Sequence, residues 1–111
     1  MTGERTLFGS NLYLLDDENN PVETDDVVAW GQMMQNLSKR LVAVDMIDGT
    51  RVSTVFLGMD HGFGRRGPPV LWETMVFGPN GGGQECERYR SLDEAKLGHA
   101  LMIARVLKRR G

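Results

Sequence analysis

Between residues 40 and 77 the apolar positions fall into three short runs, RLVAVDMI, TRVSTVFLG and PVLWETMVF. All three are rich in the β-branched and aromatic residues that suit a pleated surface. Asp48-Gly49 joins the first two and is the strongest short hairpin signal, because a two-residue type I′ turn needs φ > 0 at both positions. That turn sets Ile47 against Thr50, Asp45 against Val52, Ala43 against Thr54 and Leu41 against Phe56. The opposite face then carries Met46 with Arg51, Val44 with Ser53, Val42 with Val55, and Arg40 with Leu57. Neither face is polar. The third run repeats the pattern, with Val70, Trp72 and Val76 on one side and Leu71, Met75 and Phe77 on the other. A sheet wetted on one face alternates more cleanly than this. Helices cover one face, and the second, partly apolar face predicts a homo-oligomer, most simply a two-fold dimer packed through the sheet.

The flanking segments supply the helices. NLYLL (11–15) reads as a strand added to one edge of the sheet, closed by the turn-rich DDENNP. Thr24 is a candidate helix cap with Asp25 and Asp26 in the first turn, followed by an apolar stripe of Val27, Trp30, Met34 and Leu37 ending near Ser38. GPNGGG (78–83) reads as a hairpin tip, and QECERYR (84–90) as an edge strand whose charges oppose edge-to-edge aggregation. Ser91-Leu92-Asp93-Glu94 is a capping box that opens a helix to about Arg109. Its apolar face holds Leu92, Ala95, His99, Ile103, Val106 and Leu107, with His99 read as a hydrogen-bonded core histidine. The predicted fold is a single α+β domain over residues 1–111, with 1–10 as a loose arm. It has a four- to five-stranded, mainly antiparallel sheet and two helices, in the order β-α-β-β-β-β-α.

Composition narrows the class. The chain has 111 residues, 41% hydrophobic and 25% charged, as in an ordinary globular domain. One cysteine, Cys86, rules out an internal disulfide and points to a reducing, cytoplasmic setting. No apolar run is long enough to span a bilayer, and the N-terminal residues lack a signal-like apolar core. A net charge of −2 and a pI of about 5.6 argue against a nucleic-acid partner. Acids crowd into residues 16–26, while bases crowd at Arg65-Arg66 and Lys108-Arg109-Arg110. Each cluster reads either as a solvated helix end or as a binding patch.

The chemistry-bearing signals are sparse. Asp60-His61 is the one carboxylate–imidazole pairing suggestive of general-base work, but neighbours at a strand end point apart and no nucleophile is fixed beside them. Cys86 stands between Glu85 and Glu87, which oppose thiolate formation. His61, Cys86 and His99 have no zinc-site spacing, and the glycine-rich segments match neither the Walker pattern nor GxGxxG followed by a helix. No metal or cofactor is expected. The long 58–69 loop is the unusual segment. Its Arg65 and Arg66 offer bidentate donors, its glycines let backbone N–H groups approach a ligand, His61 adds an imidazole, and Phe63 or Trp72 offers a ring for stacking. Together these five side chains suit a phosphorylated small molecule, a nucleotide or an acidic protein surface. The same residues also suit a solvated hairpin loop.

VSTVFLGMDHGFG (52–64), GPPVLWETMVFG (67–78) and ERYRSLDEAKLGHALMIARV (87–106) resemble a group of small accessory proteins encoded by bacteriophages and prophages. The resemblance brings no catalytic residues. It implies an accessory protein in the cytoplasm of a bacterial host cell, of a kind that binds and blocks host factors, including components or signals of antiviral defence. The expected function is thus a non-enzymatic binding module that engages a host protein or an anionic ligand. The rival readings are an anti-defence inhibitor or nucleotide-signal sponge, and a small hydrolase using Asp60 and His61.

Overall fold

The computed structural model describes residues 11–110. In chain order its elements are β1 (Leu12–Leu15), β2 (Pro21–Thr24), α1 (Val27–Gln35), α2 (Leu37–Arg40), β3 (Leu41–Ile47), β4 (Thr50–Phe56), β5 (Trp72–Phe77), β6 (Gly83–Tyr89) and α3 (Leu92–Arg110). Strands β3-β4-β5-β6 form an antiparallel meander, and β1-β2 form a separate two-stranded sheet. The fold is α+β with mainly antiparallel sheet, as the sequence predicts. The expected arm over residues 1–10 lies outside the described residues. No described helix is long and apolar enough to cross a membrane.

The Asp48-Gly49 turn sets the register as expected, with φ of 47° and 86° at its two residues. Ile47 pairs with Thr50, Asp45 with Val52 and Ala43 with Thr54, but Leu41 pairs with Val55 and not with Phe56. An extra residue, Val42, is accommodated between Leu41 and Ala43, the effect of a β-bulge. Leu41 thereby stays on the uncovered face, while Val42 packs into the core around Phe56 and Trp72.

Helix α3 lies along the other face. Its buried residues Ala95, His99, Met102 and Val106 recur at helical spacing and meet Val52, Thr54 and Phe56 of β4 and Trp72, Thr74 and Val76 of β5. Leu107, expected on this stripe, is turned about 100° from Val106 and is exposed. Met102 is the inward residue that the expected stripe lacked. Ser91 caps the helix as expected, with Glu94 N–H donating to Ser91 Oγ at 3.1 Å, while the Glu94 carboxylate reaches back one residue beyond the cap to accept from the Arg90 N–H at 3.0 Å.

The N-terminal segment departs most from expectation. β1 pairs with β2 and not with the main sheet; it bridges the loop after β4 at Leu12 and Met59, and its Tyr13 and Leu15 pack against the core around Phe56 and Trp72. Thr24 closes β2 opposite Leu12 and does not cap the helix. That role falls to Asp26, whose side chain accepts from Ala29 N–H at 3.0 Å. Asn36 then breaks the expected long helix, ending α1 and capping α2 through its side chain. With the helix so divided, Val27 and Leu37 are exposed, while Trp30 and Met33 turn inward.

A line of polar groups crosses the core beneath α3. Tyr89 O–H donates to Thr74 Oγ1 at 3.0 Å, Thr74 bonds Thr54, and Thr54 Oγ1 meets His99 Nδ1 at 2.7 Å. His99 Nε2 meets Asp45 Oδ2 at 2.7 Å. Each group is satisfied when every hydroxyl donates toward the imidazole and Nε2–H donates to the carboxylate. No buried side-chain polar atom among the described residues lacks a partner. Thr54 and Thr74 are wholly enclosed, so no ligand reaches them and the line acts as a structural brace.

Candidate anion-binding hollow

The 58–71 segment between β4 and β5 is held by its own polar groups. Asp60 Oδ1 accepts from the N–H groups of Gly62 at 2.7 Å and Val70 at 2.9 Å, closing the loop at its base. His61 N–H donates to Val70 O, and Asp60 N–H to Asn11 O. The Gly58 carbonyl accepts from Tyr13 N–H at 2.9 Å and from the Trp30 indole N–H at 2.8 Å, which ties the loop root to the N-terminal segment. Gly58 has φ of 77°, and a Cβ there would lie 2.6 Å from the Met34 sulfur, so only glycine suits the position.

The far side of the loop is closed from β6. Arg90 Nη1 donates to Arg66 O at 2.9 Å, and the guanidinium passes directly over Gly67, where a Cβ would fall 2.0 Å from that nitrogen. The result is a hollow of about 520 Å³, lined by His61, Phe63, Arg65, Arg88, Arg90 and Glu94 among others. The volume lies within the range of small-ligand sites. The charges differ in availability. Arg88 pairs with Glu73 at 3.0 Å, while Arg90 is occupied with the Arg66 carbonyl. Arg65 has no ion-pair or side-chain hydrogen-bond partner among the described residues. Phe63 sits at the rim, 77% exposed, with φ of 51° and its ring edge-on to His61 at 5.5 Å. A left-handed aromatic residue is strained by roughly 1–2 kcal/mol.

Of the five side chains singled out from sequence, the fold brings His61, Phe63 and Arg65 to one hollow. Arg66 is exposed on the loop, contributing its carbonyl to Arg90, and is not among the lining residues. Trp72 is elsewhere: it is 2% exposed and packs on Phe56 at 5.5 Å beneath α3, so its ring is closed to a ligand at the loop. As the first residue of β5, its side chain points to the helix-covered face. Arg88 and Arg90 were not singled out. The period-two alternation of QECERYR sets them on one side, and the antiparallel pairing of β5 with β6 brings them beside the loop's end.

Asp60 and His61 do not form a dyad. The Asp60 oxygen Oδ1 holds loop backbone, and His61 Nδ1 faces the Met59 carbonyl at 2.8 Å. Among the described residues, no hydroxyl or thiol side chain lines the hollow. Cys86 lies apart and exposed on β6, its thiol pKa raised by partial burial and by the Glu73 carboxylate. Among the described residues no three His, Cys, Asp or Glu side chains are grouped to hold a metal ion. The other charge clusters are engaged in part. Asp16 accepts from Glu18 and Asn20 N–H groups within its turn, which lowers its pKa, and Arg109 pairs with Glu85.

No family model, curated protein or solved structure matches this chain.

Proposed function

We propose that the protein is a non-enzymatic binding module that takes an anionic group, of phosphate or carboxylate chemistry, into the hollow beside the 58–69 loop. The observation that carries this reading is Arg65: a guanidinium without a partner among the described residues, facing a hollow shared with His61, two further arginines and Glu94, whose carboxylate is bonded to the Arg90 N–H. Guanidinium groups bind phosphate and carboxylate bidentately. The strained, exposed Phe63 at the rim adds a surface for an apolar or planar portion of the ligand. The resemblance to phage-encoded accessory proteins makes a bacterial host component the expected source of that ligand, whether a protein surface or a phosphorylated signal.

Calorimetric titration with inorganic phosphate, nucleoside mono- and diphosphates and an acidic peptide tests the reading. Binding to at least one of these is expected, with Arg65→Ala weakening it about tenfold or more, the loss of a charge-assisted hydrogen bond. Phe63→Asn, which tolerates the left-handed backbone, is expected to weaken ring-bearing ligands while sparing inorganic phosphate. Absence of binding, or binding indifferent to Arg65→Ala, would overturn the assignment.

A further inference from the structure

Among the described residues, no element lies across the centre of the sheet face opposite α3. Register places its side chains in three rows running from β3 to β6. Met46, Arg51 and Phe77 form the first row; Val44, Ser53, Met75 and Cys86 the middle one; Leu41, Val55, Glu73 and Arg88 the last. Most are apolar. Leu37 of α2 borders the surface, and the Arg51 guanidinium lies 4.4 Å over the Phe77 ring.

We infer that this face is where a second copy of the chain packs, sheet against sheet, about a two-fold axis that crosses the strands along the middle row. The charges select that axis. Arg51 stands at one end of the two central strands and Glu73 at the other. Arg88 of the same row already pairs with Glu73 at 3.0 Å, so the repulsion between two Arg51 groups is the larger constraint. A two-fold axis running along the strands would bring Arg51 beside the partner's Arg51 and Glu73 beside the partner's Glu73. The axis across the strands exchanges the outer rows. Each Arg51 then lies over the partner's Val55, one strand from the partner's Glu73, and the apolar middle row meets itself.

Size sets the strength. Four strands about 4.8 Å apart and three rows about 6.8 Å apart give a flat face of about 400 Å². Side-chain relief and the neighbouring Leu37 raise the accessible area hidden, but it stays at or below the ~800 Å² per partner of a standard interface. The pair is therefore a reversible, concentration-dependent dimer.

Sedimentation equilibrium of the whole chain from about 1 to 200 μM tests this, beside Val55→Glu and Arg51→Glu, each checked for unchanged circular dichroism. The mass is expected to rise from one chain toward two in the wild type, and either substitution is expected to raise the dissociation constant at least tenfold. The axis has its own readout. Cys86 lies on the middle row, opposite the partner's Cys86 across sheets about 10 Å apart, so a short bis-maleimide is expected to link two wild-type chains and none of Cys86→Ser. A wild-type chain that stays single at 200 μM overturns the inference and leaves the face to a different protein. A dimer indifferent to both substitutions, or one whose Cys86 thiols are not linked, overturns it equally.

Discussion

Gly98 illustrates how one residue fixes a neighbour. It stands inside α3, where glycine costs about 1 kcal/mol relative to alanine. A Cβ there would lie 2.2 Å from Tyr89 ring atoms, so the missing side chain is the space that lets Tyr89 lie against the helix and reach Thr74. Gly98→Ala is therefore expected to destabilise the fold despite its better helix propensity. Overpacking and a displaced hydroxyl together cost about 1–3 kcal/mol net, read as a thermal midpoint lowered by roughly 5–15 °C. In a Tyr89→Leu background much of that penalty should vanish, a coupling that a double-mutant cycle measures directly. None of this was legible in the sequence, where Gly98 interrupts a helical pattern without a stated reason. His99 was legible as a buried, bonded histidine, though not its partners, since Asp45 and Thr54 are more than forty positions away.

At the scale of elements, the closest ion pairs between α3 and β6 converge on one carboxylate, with Glu87 more distant at 3.9 Å from Arg105. Glu85 accepts from Arg105 at 3.1 Å and from both terminal nitrogens of Arg109, and the Arg109 hydrogen bond above all holds its pKa down at about 2. Its stabilisation is whole above the ordinary 4.5 of the unfolded chain and disappears as pH falls through about 2. Glu85→Gln should cost about 1 kcal/mol at pH 7, the upper end for a solvent-facing pair. Urea unfolding of the two proteins should show that difference shrink below pH about 4.5 and close near pH 2. The elements themselves were largely readable where a turn or a cap dictates them, as at Asp48-Gly49 and Ser91–Glu94. Between residues 21 and 40 the helix was read, but not the preceding strand, the cap or the break at Asn36. There Thr24, Asp26 and Asn36 all carry side chains able to cap a helix, and only tertiary contact decides which of them does so. The bulge at Val42 was hidden for the same reason, since it answers to the space beside Phe56 and Trp72 and not to a local signal.

For the molecule as a whole, the mainly antiparallel α+β layout could be read from periodicity, whereas the composition of the hollow could not. Period-two alternation assigns Trp72 to a face but does not say which face α3 covers, so a buried ring was grouped with exposed ones. Arg88 and Arg90 belong to a strand read only for its edge. The assembled fold has one further consequence, drawn from the carbonyl of Gly58. It bonds the indole of Trp30 at the point where the 58–69 loop leaves β4, while the chain's other indole, Trp72, is sealed in the core. The protein thus carries its own optical reporter. Occupancy of the hollow that shifts the loop root is expected to change the Trp30 emission band, and Trp30→Phe should abolish the response while leaving the calorimetric heat intact.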